Sequence, residues 1–411
     1  MHSSVSWRSL NANTVKPDKS LKMSKYKILT LNDISSHGLE RLPLEQYEIA
    51  SEISTPDAIL LRSFKMHEMD IPDSLLAVGR AGAGVNNIPV EKLGKLGIPV
   101  FNAPGANANA VKELVVAGML MAARNIAQGW QFASNLEGDD AEIHQQVEAG
   151  KKQFAGFELP GRTLGVVGLG AIGVQVANVA KALGMRVIGY DPTITVRSAW
   201  QLSSDVEQAV SADELLTKAD FITFHVPLID ATRHMINRER LQSMRDNAVI
   251  LNFARDGIVD DEAVVEALDT GKLYAYICDF PSNLLKNHPR VITLPHLGAS
   301  TREAEENCAV MVAEEVRDYL ENGNIRNSVN FPEVHLPHKG QARIALVNEN
   351  RPDMLGQVSH ELGQAGCNIS HMVNESRGEL AYTLVDVDAD VDDAVTERLQ
   401  GIDGVLKVRV L

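Results

Sequence analysis

The chain has 411 residues, 45% hydrophobic and 5% aromatic content, and a formal net charge of −15. That length suits about two to three well-cored domains, and the acidic balance argues against nucleic acid and anionic membranes as partners, which need basic surfaces. No apolar run approaches membrane-spanning length, and Cys278, Cys308 and Cys367 show neither a disulfide framework nor zinc spacing, so a reducing, cytoplasmic setting without a metal site is expected.

Residues 1–23 are Ser/Asn-rich and carry Arg8, Lys16, Lys19 and Lys22 against one acid, Asp18. A transit peptide has this composition; the reading adopted is a disordered extension ahead of a start near Met23. From Tyr26 to about Gly323, short apolar runs alternate with helical patterns. Strands are predicted at Tyr26–Leu31, Ala58–Arg62, Leu76–Arg80 and Pro99–Asn102, and a long helix at Ala108–Gln128. Further strands follow at Met185–Tyr190, Phe221–Val226, Ala248–Asn252, Tyr274–Cys278 and Val291–Leu294. The prediction is an α/β chain with two doubly wound, Rossmann-like domains and a cleft between them. Ligands in such sheets lie outside the carboxyl ends of the strands, so residues that end strands are the ones to inspect. Pro332 and Pro337 forbid regular structure in a linker at 331–340. The tail reads strand (Ala342–Asn348), helix (Pro352–Ala365), strand (Asn368–Asn374), strand (Leu380–Val387), helix (Asp392–Leu399), strand (Val405–Leu411), a ferredoxin-like βαββαβ plan.

The strongest motif lies at 164–191. An apolar strand runs into Gly168-x-Gly170-x-x-Gly173, a helix follows, and a second strand ends on Asp191. Gly168 permits the tight turn, Gly170 lets the backbone approach a pyrophosphate, and Gly173 lets the helix pack close to the strand. The helix N-terminus offers free N–H groups to phosphates. Asp191 can accept from a ribose 2′-hydroxyl and would repel a 2′-phosphate, which favours NAD over NADP.

Four weaker constellations end predicted strands or follow them. Arg255 closes one strand, where its fork can pair with a carboxylate; alone, such an arginine is as a rule a surface charge. His296 ends another and titrates in the range of a proton donor or acceptor; alone, it is more often a satisfied core histidine. Arg62 ends a third, and the glycine-rich turn at Ala81–Val85, including Ala83 and Gly84, can present N–H groups to an anion or be a plain turn. Asn107 precedes the long helix and either caps it, the safer reading, or contacts a ligand.

In order, these blocks resemble the D-isomer-specific 2-hydroxyacid dehydrogenases, in particular the phosphoglycerate-oxidising branch that ends in an ACT domain. The matching blocks are GRAGAGVNN (79–87), NAPGANANAVKELV (102–115), GLGAIG (168–173), HVPLIDAT (225–232), NFARDGIVDDEAVVEAL (252–268) and PHLGAST (295–301). The resemblance implies a discontinuous substrate-binding domain (24–115 and 296–330), an NAD-binding domain (116–295) and an ACT domain (341–411). It implies that Arg255 binds the substrate carboxylate and keto oxygen and that His296 is the acid/base group. Arg62, near the phosphate end, and Asn107 match substrate contacts, with Ala83 and Gly84 beside them. Asp279 matches the residue that holds the nicotinamide amide, and Ala171, Ile172, Val226, Phe253, Ala254, Gly298 and Ala299 line the cofactor. Lys151 or Lys152 would either reach a neighbouring subunit's phosphate site or lie in an exposed loop, the preferred reading. In the tail, Asn350 and Asn368 match serine-binding positions and Asn348 replaces a histidine, so a serine or other amino-acid effector is one expectation and mere subunit association the other. A homodimer or homotetramer is expected.

Two departures stand out. The family pairs its histidine with a glutamate that lies between the aspartate and the histidine, but no Asp or Glu occurs from Phe280 to Arg302. Leu284, or Asn283 in another register, takes that place, which points to a branch with an altered couple or an imidazole oriented by another group. Asp256 stands where the family has a glycine. The implied reaction is NAD-dependent oxidation of D-3-phosphoglycerate. The alternatives are a hydroxypyruvate or glyoxylate reductase, and a non-catalytic NAD-binding sensor.

Overall fold

A computed structural model describes residues 25–411; the expectation for residues 1–23 lies outside them. Five strands form the first sheet: β1 (Tyr26–Leu31), β2 (Tyr47–Ala50), β3 (Ala58–Leu61), β4 (Ala77–Arg80) and β5 (Val100–Asn102). They are parallel throughout, in the order β2-β1-β3-β4-β5. The second sheet holds β6 (Thr163–Val167), β7 (Arg186–Tyr190), β8 (Glu207–Gln208), β9 (Phe221–Phe224), β10 (Ala248–Asn252), β11 (Leu273–Cys278) and β12 (Val291–Thr293). Its order, β12-β11-β10-β9-β6-β7-β8, reverses between β6 and β9, the crevice where doubly wound sheets bind nucleotides. β6, β9 and β10 are buried along their whole length, as strands covered by helices on both faces must be.

The long helix does not reach Gln128. It runs Ala108–Arg124, stops at Asn125 with φ 50°, and a second helix covers Ile126–Ser134. Asparagine tolerates this left-handed conformation, and Asn125 is pinned there: its Oδ1 accepts from Tyr274 Oη at 3.0 Å and from Arg290 at 3.3 Å. Two strands escaped the sequence reading. β2 carries only a weak apolar signal in Tyr-Glu-Ile-Ala, and β8 is two exposed residues on a sheet edge.

The third sheet is antiparallel, with β13 (Ala342–Glu349), β14 (Ile369–Arg377), β15 (Leu380–Val387) and β16 (Val405–Val410) in the order β14-β15-β13-β16. Alternation along β13 divides its side chains: Ile344 and Leu346 pack under the helices Met354–Gln364 and Asp393–Gln400, while Ala345 and Val347 join the core of the first sheet. The segment 331–340 has no helix or strand, but Phe331, Val334 and Leu336 are buried in that shared core. Arg343 and Asp386, both wholly buried, form a bidentate pair at 2.6 and 2.9 Å. Arg343 also donates to the Asn322 carbonyl, Tyr382 to that of Gly323, and Arg409 to those of Tyr319 and Leu320. The third sheet thereby supplies donors to carbonyls at the end of the helix Arg302–Asn322, of which that of Tyr319 also accepts from Gly323 N and that of Leu320 from Tyr26 Oη.

Glu315 on that helix is 4% exposed. One oxygen accepts from Asn327 at 2.6 Å and the other has no partner among the described residues. Burial pushes its carboxyl up to about 8. The folded state therefore holds the proton, and its stability is full below the ordinary value of 4.5 and lost as pH rises through about 8. Glu315→Gln is expected to melt with the wild type at pH 4.5 and to be more stable by roughly 2–4 kcal/mol at pH 9. Thermal unfolding at the two pH values reads this directly, and a gap that does not widen with pH would refute it.

Candidate functional site

The strand ends of the first and second sheets face one cleft of about 480 Å³. Arg62 follows β3, Arg80 ends β4, Arg255 lies three residues beyond β10, and His296 lies three beyond β12. All four side chains line the cleft, together with Ala83, Gly84, Asn107 and Ala299. Sequence-distant residues converge because a parallel sheet delivers all its carboxyl ends to one side.

Local chemistry fixes each group. Asn252, 1% exposed, holds the turn after β10: its Nδ2 donates to the Arg255 carbonyl at 3.0 Å, and its Oδ1 accepts from Ala254 N at 3.2 Å. The Arg255 guanidinium donates back to the Ala254 carbonyl at 2.6 Å and faces the open side of Gly84, where a Cβ would stand 4.0 Å away. His296 has φ 51°, and its N–H is shared by the carbonyls of Asp279 and Leu294. Its ring meets Phe280 edge-on, with centroids 5.2 Å apart. No carboxylate follows Asp279 in the loop to His296, but Asp256, Asp261 and Asp279 line a concavity that His296 also lines. Burial pushes the Asp261 carboxyl up, and the neighbouring Asp256 charge adds to this.

Asn107 occupies the N-cap position of Ala108–Arg124 but makes no capping hydrogen bond; its side chain lines the cleft instead, so the capping expectation is corrected. Lys151 and Lys152 lie in an exposed single turn, where Lys151 pairs with Glu148 at 2.5 Å.

The glycine motif fits a dinucleotide. Gly168 has φ 90°, and a Cβ there would strike the His225 carbonyl; one at Gly173 would strike the Gly168 carbonyl; at Gly170 it would meet nothing, leaving that backbone open to a ligand. Ala171, Ile172 and Gly173 form the first turn of the helix Ala171–Ala182. Asp191 directly follows β7 and accepts from Leu169 N and Thr193 N at 2.8 Å each. Val226, Phe253 and Ala254 follow β9 and β10 on the same side, and Phe253 is 6% exposed. Asp279 is 1% exposed; one oxygen accepts from Gly298 N at 3.3 Å and the other has no partner among the described residues. Burial raises its carboxyl, against the opposing charges of His296 and Arg255. A buried acceptor without a donor is what an incoming carboxamide would satisfy. These residues fit NAD. Asp191→Asn removes the charge, at the cost of one of the two backbone hydrogen bonds to the carboxylate, and is expected to narrow the preference for NAD over NADP by about tenfold or more, about 1.4 kcal/mol. Equal preference ratios in mutant and wild type would deny Asp191 that role.

The three tail asparagines are not brought together. Asn348 and Asn350 lie at the Glu349 end of β13, where Asn350 donates to the Gly378 carbonyl, whereas Asn368 pairs with Asp388 at the opposite end of the sheet.

Sequence reading missed Arg80, Glu305 and His225. Arg80 ends a strand as Arg62 does, so the same rule would have found it. Glu305 sits in the first turn of the helix Arg302–Asn322, and its Oε1 is 2.7 Å from Arg62 Nη2. His225 follows β9; burial pushes its imidazole down to about 3, so it is neutral beside the nucleotide motif.

Residues 116–298 match the model of the D-isomer specific 2-hydroxyacid dehydrogenase NAD binding domain. The chain is 32% identical to D-3-phosphoglycerate dehydrogenase of Haemophilus influenzae over 95% of its own length and 98% of the relative's. It is 38% identical to the Methanocaldococcus jannaschii enzyme of that name over 84% of its length, and spans 64% of that longer relative. Among solved structures, the NAD+-bound 3-phosphoglycerate dehydrogenase of Entamoeba histolytica aligns over 74% of this chain and 99% of its own, at 26% identity and a TM-score of 0.58.

Proposed function

The chain belongs to the D-isomer specific 2-hydroxyacid dehydrogenases, and from that premise we propose that it oxidises D-3-phosphoglycerate to 3-phosphohydroxypyruvate with NAD, the first step of the phosphorylated route to serine. The observation that carries this reading is the set of three guanidinium groups, Arg62, Arg80 and Arg255, that share one cleft with His296. A substrate with a carboxylate at one end and a phosphate at the other needs that many cations in a chain of net charge −15.

Arg255 binds the carboxylate bidentately and stabilises charge on the C2 oxygen. His296 takes the hydroxyl proton during oxidation and returns it during reduction. Arg62 and Arg80 hold the phosphate, and Asn107, Ala83 and Gly84 shape the wall between the two ends. Asp279, Gly168, Gly170 and Asp191 hold the cofactor against this cleft, with Gly298 and Ala299 beside Asp279. Bound NAD supplies the acceptor for the hydride leaving C2. The arrangement is a positioning device, and near-attack orientation is where such sites gain much of their rate.

A homo-oligomer in the cytoplasm is the setting proposed. An amino-acid effector at the tail would need a second copy, since one chain keeps Asn368 apart from Asn348 and Asn350. The Arg62–Glu305 pair, which places a carboxylate at the phosphate end, favours the second reading, a hydroxypyruvate-type reductase. NADH formation with D-3-phosphoglycerate, compared with D-glycerate, separates the two: faster turnover of the phosphorylated acid supports the first, and turnover of D-glycerate alone supports the second.

A further inference from the structure

Among the described residues, Glu305 is the one carboxylate that lines the cleft, and it pairs with a single partner. Its Oε1 lies 2.7 Å from Arg62 Nη2, and the two side chains are 44% and 38% exposed. The pair is therefore an open contact at the cleft surface, which water and ligands reach. Arg62 is held from behind: its carbonyl accepts from Arg80 Nε at 3.1 Å and from Asn87 Nδ2 at 3.2 Å. Glu305 is held by the helix that Thr301 caps, Oγ1 accepting from Ala304 N at 3.1 Å. Only the two long side chains are free to part. Burial and the charges of Arg62 and Arg255 lower the Arg80 guanidinium, so the arginines repel one another where no anion lies between them.

We propose that Glu305 is a displaceable counter-ion that occupies the anion-binding edge of Arg62 and must swing off before a phosphate group can bind there, so that it sets affinity for the phosphorylated substrate. The proposal rests on the reading that Arg62 marks the phosphate end of the cleft. A guanidinium presents its donors in a fixed fork, and the Nη2 that Glu305 holds is not available to complete a bidentate pair with a phosphate. A phosphomonoester dianion at Arg62 would stand within ion-pair distance of a second anion, and like charges so close repel strongly at a half-exposed site. An unphosphorylated hydroxy acid needs only Arg255 and His296 and leaves the pair intact. Glu305 is thus a specificity residue and takes no part in proton or hydride transfer.

The test is Glu305→Gln in the full-length enzyme, which keeps the shape of the side chain and removes its charge. Expected is a KM for 3-phosphohydroxypyruvate about tenfold lower with kcat little changed, while the KM for hydroxypyruvate stays at the wild-type value. Inorganic phosphate, as a competitive inhibitor, should bind the variant more tightly by a similar factor. Glu305→Asp keeps the charge in the helix's first turn but retracts it from Arg62, and should follow Glu305→Gln. Unchanged KM and phosphate inhibition in Glu305→Gln would overturn the proposal. So would an equal KM shift for both keto acids, or a Glu305→Asp enzyme that behaves as wild type, which would assign the effect to helix charge. If the wild type turns over hydroxypyruvate alone, the phosphoglycerate reading fails, and the inorganic phosphate arm still decides the role of Glu305.

Discussion

His296→Asn is expected to lower kcat by about 10²–10⁴-fold, the usual worth of a positioned acid/base group, and to leave NADH binding at its wild-type strength. The substitution is unusually clean here. His296 adopts φ 51°, a conformation that strains most side chains but that asparagine visits readily. The N–H shared by the carbonyls of Asp279 and Leu294 belongs to the backbone and survives the change. What is lost is the imidazole, whose ring borders both the substrate cleft and the Asp256, Asp261 and Asp279 concavity. Single-turnover rates with fluorescence-monitored NADH binding separate chemistry from affinity. Retained kcat would remove His296 from proton transfer, and lost NADH binding would show that its role is structural.

Arg255→Lys is expected to cost about 10²–10³-fold in kcat/KM, as for removal of one charge-stabilising donor. The charge remains, but the planar fork does not, and a point charge cannot bind a carboxylate and the neighbouring C2 oxygen together. Asn252 fixes the turn through backbone atoms of Ala254 and Arg255, so the variant should fold. Both KM and kcat should suffer, because in the proposed mechanism the fork contacts the ground-state carboxylate and the developing charge. A change confined to KM would leave Arg255 a binding group only.

The parallel strands were legible because they are short, largely apolar runs: Ala248–Asn252, buried throughout, and Tyr26–Leu31, buried at its centre, lie where the sequence pattern placed them. The nucleotide motif was legible because its strand, turn, helix and acid are contiguous. The break at Asn125 was not: helical periodicity continues through it, and the left-handed turn is held by Tyr274 and Arg290 from another part of the chain. Asn107 shows the converse, since its residue type and position suit a cap yet the cleft takes the side chain. Residues that end strands could be nominated one by one. Their convergence, and the Glu305 carboxylate opposite Arg62, exist only once two sheets and the helix Arg302–Asn322 are packed.

The most direct measurement is NADH oxidation with 3-phosphohydroxypyruvate against hydroxypyruvate, compared as kcat/KM. A preference of at least about 10²-fold for the phosphorylated keto acid is predicted, since an unphosphorylated substrate leaves the cations at the distal end of the cleft unused. Equal efficiencies, or a preference for hydroxypyruvate, would contradict the assignment of Arg62 and Arg80 to a phosphate group and with it the proposed substrate.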